Sequence, residues 1–226
     1  MTLLPPCSQI VHGGTDSHGN NAMMREVLKR RRAMDFKIKQ KERVYQGFFA
    51  MDKYQVEHDR FDGGTIQVSR ENMERGDAAA ILLYDPKVDE VLLLEQFRIG
   101  PAARDDNPWL VEIVAGMLDE GETAEEAVIR ESKEESGFVP YNTRFLGRYY
   151  TTPGACSERI DLFLGLVDKH SPVSEGGGCD HEQEDIKSYW VSREQALSWL
   201  AEGKIASGAP MLAMLHSFGW QGVISA

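Results

Sequence analysis

One stretch limits the possible folds of this chain more than any other: residues 115–138, AGMLDEGETAEEAVIRESKEESGF. Thr123 followed three positions later by Glu126 matches a capping box, and Gly137 stands where a left-handed residue ends a helix. A helix is therefore predicted from about Ala124 to Ser136. Its inward face begins with Ala124, Ala127 and Val128, and steps of three or four carry the same stripe onto Glu131 and Glu135. Glu134 lies beside that pair, so three carboxylates meet within about one turn. The stripe that should bury this helix thus turns acidic halfway along. Like charges repel, and a buried, unpaired carboxylate is costly, so the arrangement needs a compensating charge. A divalent cation would supply it, and an all-oxygen donor set favours a hard ion, magnesium in particular. Arg130, within reach of Glu122, Glu126 and Glu134, is a second source of positive charge. A solvated acidic helix is the ordinary alternative for such a composition.

The rest of the chain narrows the setting. Its 226 residues are 42% hydrophobic and 27% charged, enough for one full core and a small appended unit. No run approaches the roughly 20 apolar residues that span a bilayer, and MTLLPPCSQIVHGGTDSHGN lacks the charged-then-apolar order of a secretory signal. A soluble, cytoplasmic protein without a membrane partner is expected. Cys7, Cys156 and Cys179 are scattered and form no CxxC pair, which indicates neither a disulfide framework nor a structural zinc site. A net charge of −11 argues against a nucleic-acid partner, because phosphate backbones are held by clustered Lys and Arg. The one basic cluster, KRRRAMDFKIKQKER at 29–43, is either an anion-steering patch or a solvated arm. An acidic protein that handles phosphorylated ligands needs a cation to bridge the like charges.

Three segments are expected along the chain. Residues 1–35 form a loose N-terminal tail without periodicity. Residues 36–75 alternate apolar and polar positions around the turn FDGG and read as a meander of antiparallel strands. That sheet has no helix to cover it, so the next domain or a second subunit must do so. Residues 76–226 form the main domain. There AAAILLY and VLLL are buried neighbouring strands, followed by WLVEIVAG, the acidic helix, the strands RFLGRYYT and RIDLFLGLV, the strand IKSYWV, and two closing helices. The order predicts an α/β fold, a mixed sheet with helices on both faces. The Gly-rich, acidic loop SPVSEGGGCDHEQED is of a length more often functional or disordered than structural filler.

The register of the acidic stretch is specific. Gly116, Glu122, Arg130, Glu131, Glu134, Glu135 and Gly137 fit the pattern G-x5-E-x7-R-E-x-x-E-E-x-G, which resembles the Nudix box. Ser132 departs from it, standing in a slot that is usually aliphatic, which would loosen the packing of the helix. The likeness runs from about Tyr45 to the C-terminus and is similar to the bacterial ADP-ribose pyrophosphatase branch in YQGFFAMD (45–52), MERGDAAAILL (73–83), EQFRIG (95–100), EIVAGMLDEGE (112–122) and PGACSER (153–159). The resemblance implies an α/β/α sandwich around a mixed sheet and a homodimer that exchanges the N-terminal antiparallel sheet. It also implies hydrolysis of a nucleotide-sugar diphosphate by water, with more than one Mg2+ ion, or Mn2+, in the site; ADP-ribose would give AMP and ribose 5-phosphate.

By the same resemblance Glu131 and Glu135 match the principal metal ligands, Glu134 a nearby one and Ala115 a backbone carbonyl ligand, while Arg130 and Glu122 match structural positions. The general base matches a glutamate of the late loop, Glu182, with Glu184 as auxiliary ligand. The loop is one residue longer than the pattern, so the two could exchange roles. Phe48 matches a residue that lies against adenine, with a plain core phenylalanine as the alternative. Arg98 and Arg70 match residues that meet the diphosphate or the adenosine side, a role suited to guanidinium, with surface ion pairs as the alternative. Glu158 matches a carboxylate that bonds a ribose or helps to position metals, in its own subunit or across the dimer; Ala155 and Cys156 depart from the usual PGG-x-SER around it. Hydrolysis of GDP-mannose or of nucleotide sugars broadly is the rival within the same fold, and a non-catalytic ADP-ribose binding module the rival outside it. A calcium-binding protein fails on ligand spacing, and RNA decapping is disfavoured by the charge.

Overall fold

The computed structural model describes residues 34–179 and 184–219. They fall into two compact units, one of residues up to Lys39 together with Gln55–Val68, the other of Gln40–Tyr54 and the described chain from Ser69 onward. Strands β1 (Phe36–Gln46), β2 (Ala50–Asp59) and β3 (Thr65–Glu74) make a three-stranded antiparallel sheet in that order. In the smaller unit Gly63 and Gly64 take φ of 99° and 75°, which explains the FDGG turn, and Lys39 pairs with Glu57 at 2.8 Å. In the larger unit Asp52 is fully buried beneath Lys41 and Arg43, whose charges hold its carboxyl below the usual range, the Arg43 hydrogen bond leading.

The larger unit is built on a seven-stranded mixed sheet. Its strands are β4 (Ala78–Asp85), β5 (Glu90–Phe97), β6 (Trp109–Glu112), β7 (Val114–Met117), β8 (Asn142–Tyr150), β9 (Arg159–Leu166) and β10 (Lys187–Ser192). The main path runs β10-β5-β4-β9-β8, with β6 on β5 and β7 on β4. The β4–β9 pair is parallel and the other strand pairs are antiparallel. Three short helices, α1 (Ile99–Ala102), α3 (Arg193–Ala201) and α4 (Gly208–Phe218), accompany the acidic helix α2 (Ala124–Glu131), which continues as a π turn over Ser132–Ser136.

The run AAAILLYD is apolar at successive positions because both faces of β4 are covered. Ala80 and Leu82, with Val91 and Leu93 of β5, pack on Leu197 and Leu200 of α3 and Met214 of α4. Ala79, Ile81 and Leu83, with Leu92 and Leu94, pack on Ala127 and Val128 of α2. Each fully buried Leu or Ile contributes about 1.5–3 kcal/mol, so this two-sided burial is what fixes α2 against the sheet. The structure adds two features. WLVEIVAG divides into β6 on β5 and β7 on β4, the chain crossing between them at the buried Ile113. The loop after β5 opens with α1, which has no apolar period of its own.

Candidate active site

The acidic helix begins with the expected capping box. Thr123 Oγ1 accepts from the Glu126 N–H at 3.3 Å, and the Glu126 carboxylate accepts from the Thr123 N–H at 2.9 Å. Gly137 ends it at φ 78°. Between these ends the hydrogen bonding widens at Ser132, and π turns of this kind are frequent at functional sites. Ser132 does not loosen the helix: it is fully buried and its hydroxyl donates to the Val128 carbonyl at 2.5 Å.

Arg130 is the hub of the near side. Its Nε and Nη2 donate to the two oxygens of Glu122 at 2.9 and 3.0 Å, its Nη1 to Glu131 at 2.7 Å and Glu134 at 3.1 Å, and Nη2 also to the Met117 carbonyl at 3.2 Å. Of the partners open to it in the sequence, Glu126 is taken by the cap instead. Glu131 lies so close over Gly116 that a Cβ there would fall 1.8 Å from its Oε1. Burial raises the Glu131 pKa, and Arg130 opposes that rise.

Glu135 is 1% exposed and accepts a hydrogen bond from the Ala115 N–H at 3.1 Å. Its pKa stands well above the ordinary carboxylate value, through burial first; Glu131 and Glu184 push it further, while the Ala115 N–H and, more weakly, Arg98 pull it back. Glu184, about fifty residues away in the chain, therefore comes into the same electrostatic neighbourhood, its Oε2 accepting from the Cys179 N–H at 3.1 Å. Arg98, at the end of β5, is paired with Glu112 of β6 at 2.8 Å. Among the described residues no three acidic, imidazole or thiol side chains converge as a finished metal cage, and Glu131 and Glu134 turn to Arg130 instead. The donor chemistry nonetheless suits a hard divalent cation: Glu131 and Glu135 offer carboxylate oxygens beside the Ala115–Gly116 backbone, and the charge of Glu184 acts on both.

A second cluster gathers Phe48 and Glu158. Phe48 is 86% exposed in the β1–β2 turn, not a core residue, and meets the Phe49 ring edge-on at 4.8 Å. Arg75 lies over Phe49 at 4.9 Å, and its buried Nε sits 3.1 Å from Glu158 Oε1 without pointing an N–H at it. Tyr149 of β8 feels both clusters: burial, then Glu158 and Glu112, push its pKa up to about 12. Arg70 joins neither cluster; it is exposed, donating to the Ser69 carbonyl at 2.8 Å. Glu182 lies outside the described residues. Sequence reasoning passed over Phe49, Arg75, Glu112 and Tyr149. The first three sit in segments that carry the family likeness, but only tertiary contacts single them out.

The NUDIX domain family matches residues 74–214. The chain belongs to the Nudix family. An ADP-ribose pyrophosphatase of Escherichia coli is 42% identical over 181 residues, covering 80% of this chain and 86% of the relative. That of Haemophilus influenzae is 41% identical over 185 residues, covering 80% and 84%. A GDP-mannose pyrophosphatase of Pectobacterium atrosepticum is 32% identical over 186 residues, covering 81% and 95%. Among solved structures, an ADP compounds hydrolase superposes with a TM-score of 0.63 at 20% identity, covering 84% of this chain and 97% of the other, which establishes the Nudix fold. The capped helix, with Arg130, Glu131, Glu134 and Glu135, belongs to the Nudix box of this chain. Among its described residues no helix is long and apolar enough to cross a membrane.

Proposed function

We propose that this Nudix protein hydrolyses ADP-ribose to AMP and ribose 5-phosphate, water adding to one phosphorus as the diphosphate bridge breaks. The observation that carries the reading is that Glu135, buried on the Ala115 N–H, and Glu131, lying over Gly116, both face the Ala115–Gly116 backbone. The higher identity to ADP-ribose pyrophosphatases than to GDP-mannose pyrophosphatases supports the choice of substrate. Glu131 and Glu135, aided by Glu134 and the Ala115 carbonyl, would hold Mg2+ or Mn2+, with Glu184 as an auxiliary ligand and more than one ion per site. Bound there, the ions would neutralise phosphate oxygens, lower the pKa of water and fix an in-line geometry.

The chain's own groups do the rest. Glu182 takes the proton of the attacking water as general base, with exchange of roles with Glu184 the second assignment. Arg98, half-exposed beside Glu112, meets diphosphate charge. Phe48 offers an open aromatic face to adenine, and Glu158, oriented by Arg75, meets a ribose. Arg70 is assigned to the adenosine side. The exposed length of β1 supports a homodimer in which 36–75 exchanges between subunits and 76–226 carries the chemistry. We place the enzyme in the cytoplasm, with neither nucleic acid nor membrane as a partner.

Initial rates on ADP-ribose, GDP-mannose and ADP-glucose, with Mg2+ and with chelator, test the reading. The expected result is a clear preference in kcat/KM for ADP-ribose, equimolar AMP and ribose 5-phosphate, and no turnover with chelator. Equal rates on all three would replace it with a general nucleotide-sugar pyrophosphatase, and tight binding without turnover would replace it with a binding module.

A further inference from the structure

We infer that Gly178 is a positioning residue for Glu184, acting through a glycine strap that ties the loop before β10 to the end of the acidic helix. The inference rests on the proposed role of Glu184. A helix end leaves carbonyls without intrahelical donors, and here the loop supplies them. The Gly137 carbonyl accepts from the N–H groups of Val173 and Ser174, at 2.7 and 3.3 Å, and the Ser174 hydroxyl donates to the Lys133 carbonyl at 3.1 Å. Gly177 N–H donates to the Glu135 carbonyl at 2.9 Å and Gly178 N–H to the Glu134 carbonyl at 3.1 Å. The backbone that carries two of the box glutamates is thus capped by the strap.

The return leg is tied to the same strap. Ile186 N–H donates to the Gly177 carbonyl at 3.1 Å, and the Glu184 carboxylate accepts from the N–H of Cys179. Runs of glycine are ordinarily flexible linkers; in this strap the three differ in what a side chain would meet. All three have positive φ, 71°, 105° and 91°. A Cβ on Gly176 would fall 2.5 Å from the Ser136 carbonyl carbon. On Gly178 it would fall 2.6 Å from Glu184 Cβ and 2.8 Å from its Oε2, whereas on Gly177 it would meet only the Ile186 carbonyl oxygen at 3.9 Å. Gly178 is therefore the position where backbone and carboxylate compete for one space. The strap sets the separation of Glu184 from Glu134 and Glu135 through backbone bonds, the kind of support that a site built from distant segments requires.

Gly177→Ala and Gly178→Ala separate strain from positioning, since both put a side chain at positive φ but only the second touches Glu184. Both variants, with Glu184→Gln, are compared with wild type in Tm, kcat and KM for ADP-ribose, and the Mg2+ concentration for half-maximal rate. Both alanine variants are expected to lose Tm, Gly178→Ala the more, because it adds the contact with Glu184 to the same positive φ. Gly178→Ala alone should lose about 10²-fold in kcat and need about 10-fold more Mg2+, with KM little changed. Gly178→Ala indistinguishable from Gly177→Ala in kcat and Mg2+ response, while Glu184→Gln is impaired, overturns the inference and leaves the role of Glu184 standing. Wild-type behaviour of Glu184→Gln overturns that role and the inference with it. Hydrogen exchange of the wild-type protein tests the strap without any variant: protected Gly177 and Gly178 amides support it, and rapid exchange at both overturns it.

Discussion

Replacing Gly116 by Ala tests whether the place of the Glu131 carboxylate matters. A Cβ at 116 would lie 1.8 Å from Glu131 Oε1, 2.1 Å from Cδ and 2.6 Å from Cγ, while ordinary contact begins at 3.4 Å. The obstructing atoms are the mobile end of a side chain, so the carboxylate retreats by roughly 1.6 Å and the strand stays in place, and a misplacement of about 1 Å at a reacting centre can cost about 10²-fold. A 10²-fold loss of kcat corresponds to about 2.7 kcal/mol of transition-state stabilisation. Stability should change by no more than about 1 kcal/mol, because Ala in a strand gains about 0.5–1 kcal/mol over Gly and the clash is relieved by rotation. Gly165→Ala is the matched control. Its Cβ would meet Ile81 Cδ1 at 2.7 Å and Leu83 Cδ2 at 2.9 Å in the core, so it should lose about 1–3 kcal/mol of stability and keep its kcat. Rates on ADP-ribose at saturating Mg2+, with urea unfolding of both variants, distinguish the cases. Near-wild-type kcat in a well-folded Gly116→Ala protein would refute the reasoning, since Glu131 would then work equally well elsewhere.

Three further outcomes are expected. Glu135→Gln should abolish most of kcat and, in chelator, melt above wild type at pH 8: a carboxyl whose folded pKa is raised carries no penalty below its unfolded pKa and the full penalty above its folded one, so the gap should close toward pH 4. Identical melting curves at pH 8 would show that Glu135 bears no buried charge. Arg130→Lys removes the two-pronged grip on Glu122 and the bridge between Glu131 and Glu134, and should cost about 1–3 kcal/mol in urea unfolding. Ser132→Ala should stay within about 1 kcal/mol of wild type in the same assay, because the Val128 carbonyl keeps its backbone donor when the hydroxyl is lost.

The local features of this chain were legible in its sequence. Capping by Thr123 and Glu126, termination at Gly137, the alternation about FDGG and the two-sided burial of AAAILLY all depend on neighbours within a few residues, so short-range periodicity and steric rules suffice to read them. The spacing of seven box residues carried the family in the same way. Tertiary structure decided what depends on atoms brought together across the chain. It divided WLVEIVAG between two partners at Ile113, brought the charge of Glu184 to bear on Glu131 and Glu135, joined Phe48 to Glu158 through Phe49 and Arg75, and hydrogen-bonded the glycines of a loop read only as functional or disordered to the end of the acidic helix. The physical reason is that side-chain period tells which way a residue faces, whereas charge, burial and close approach depend on what the opposite element places there.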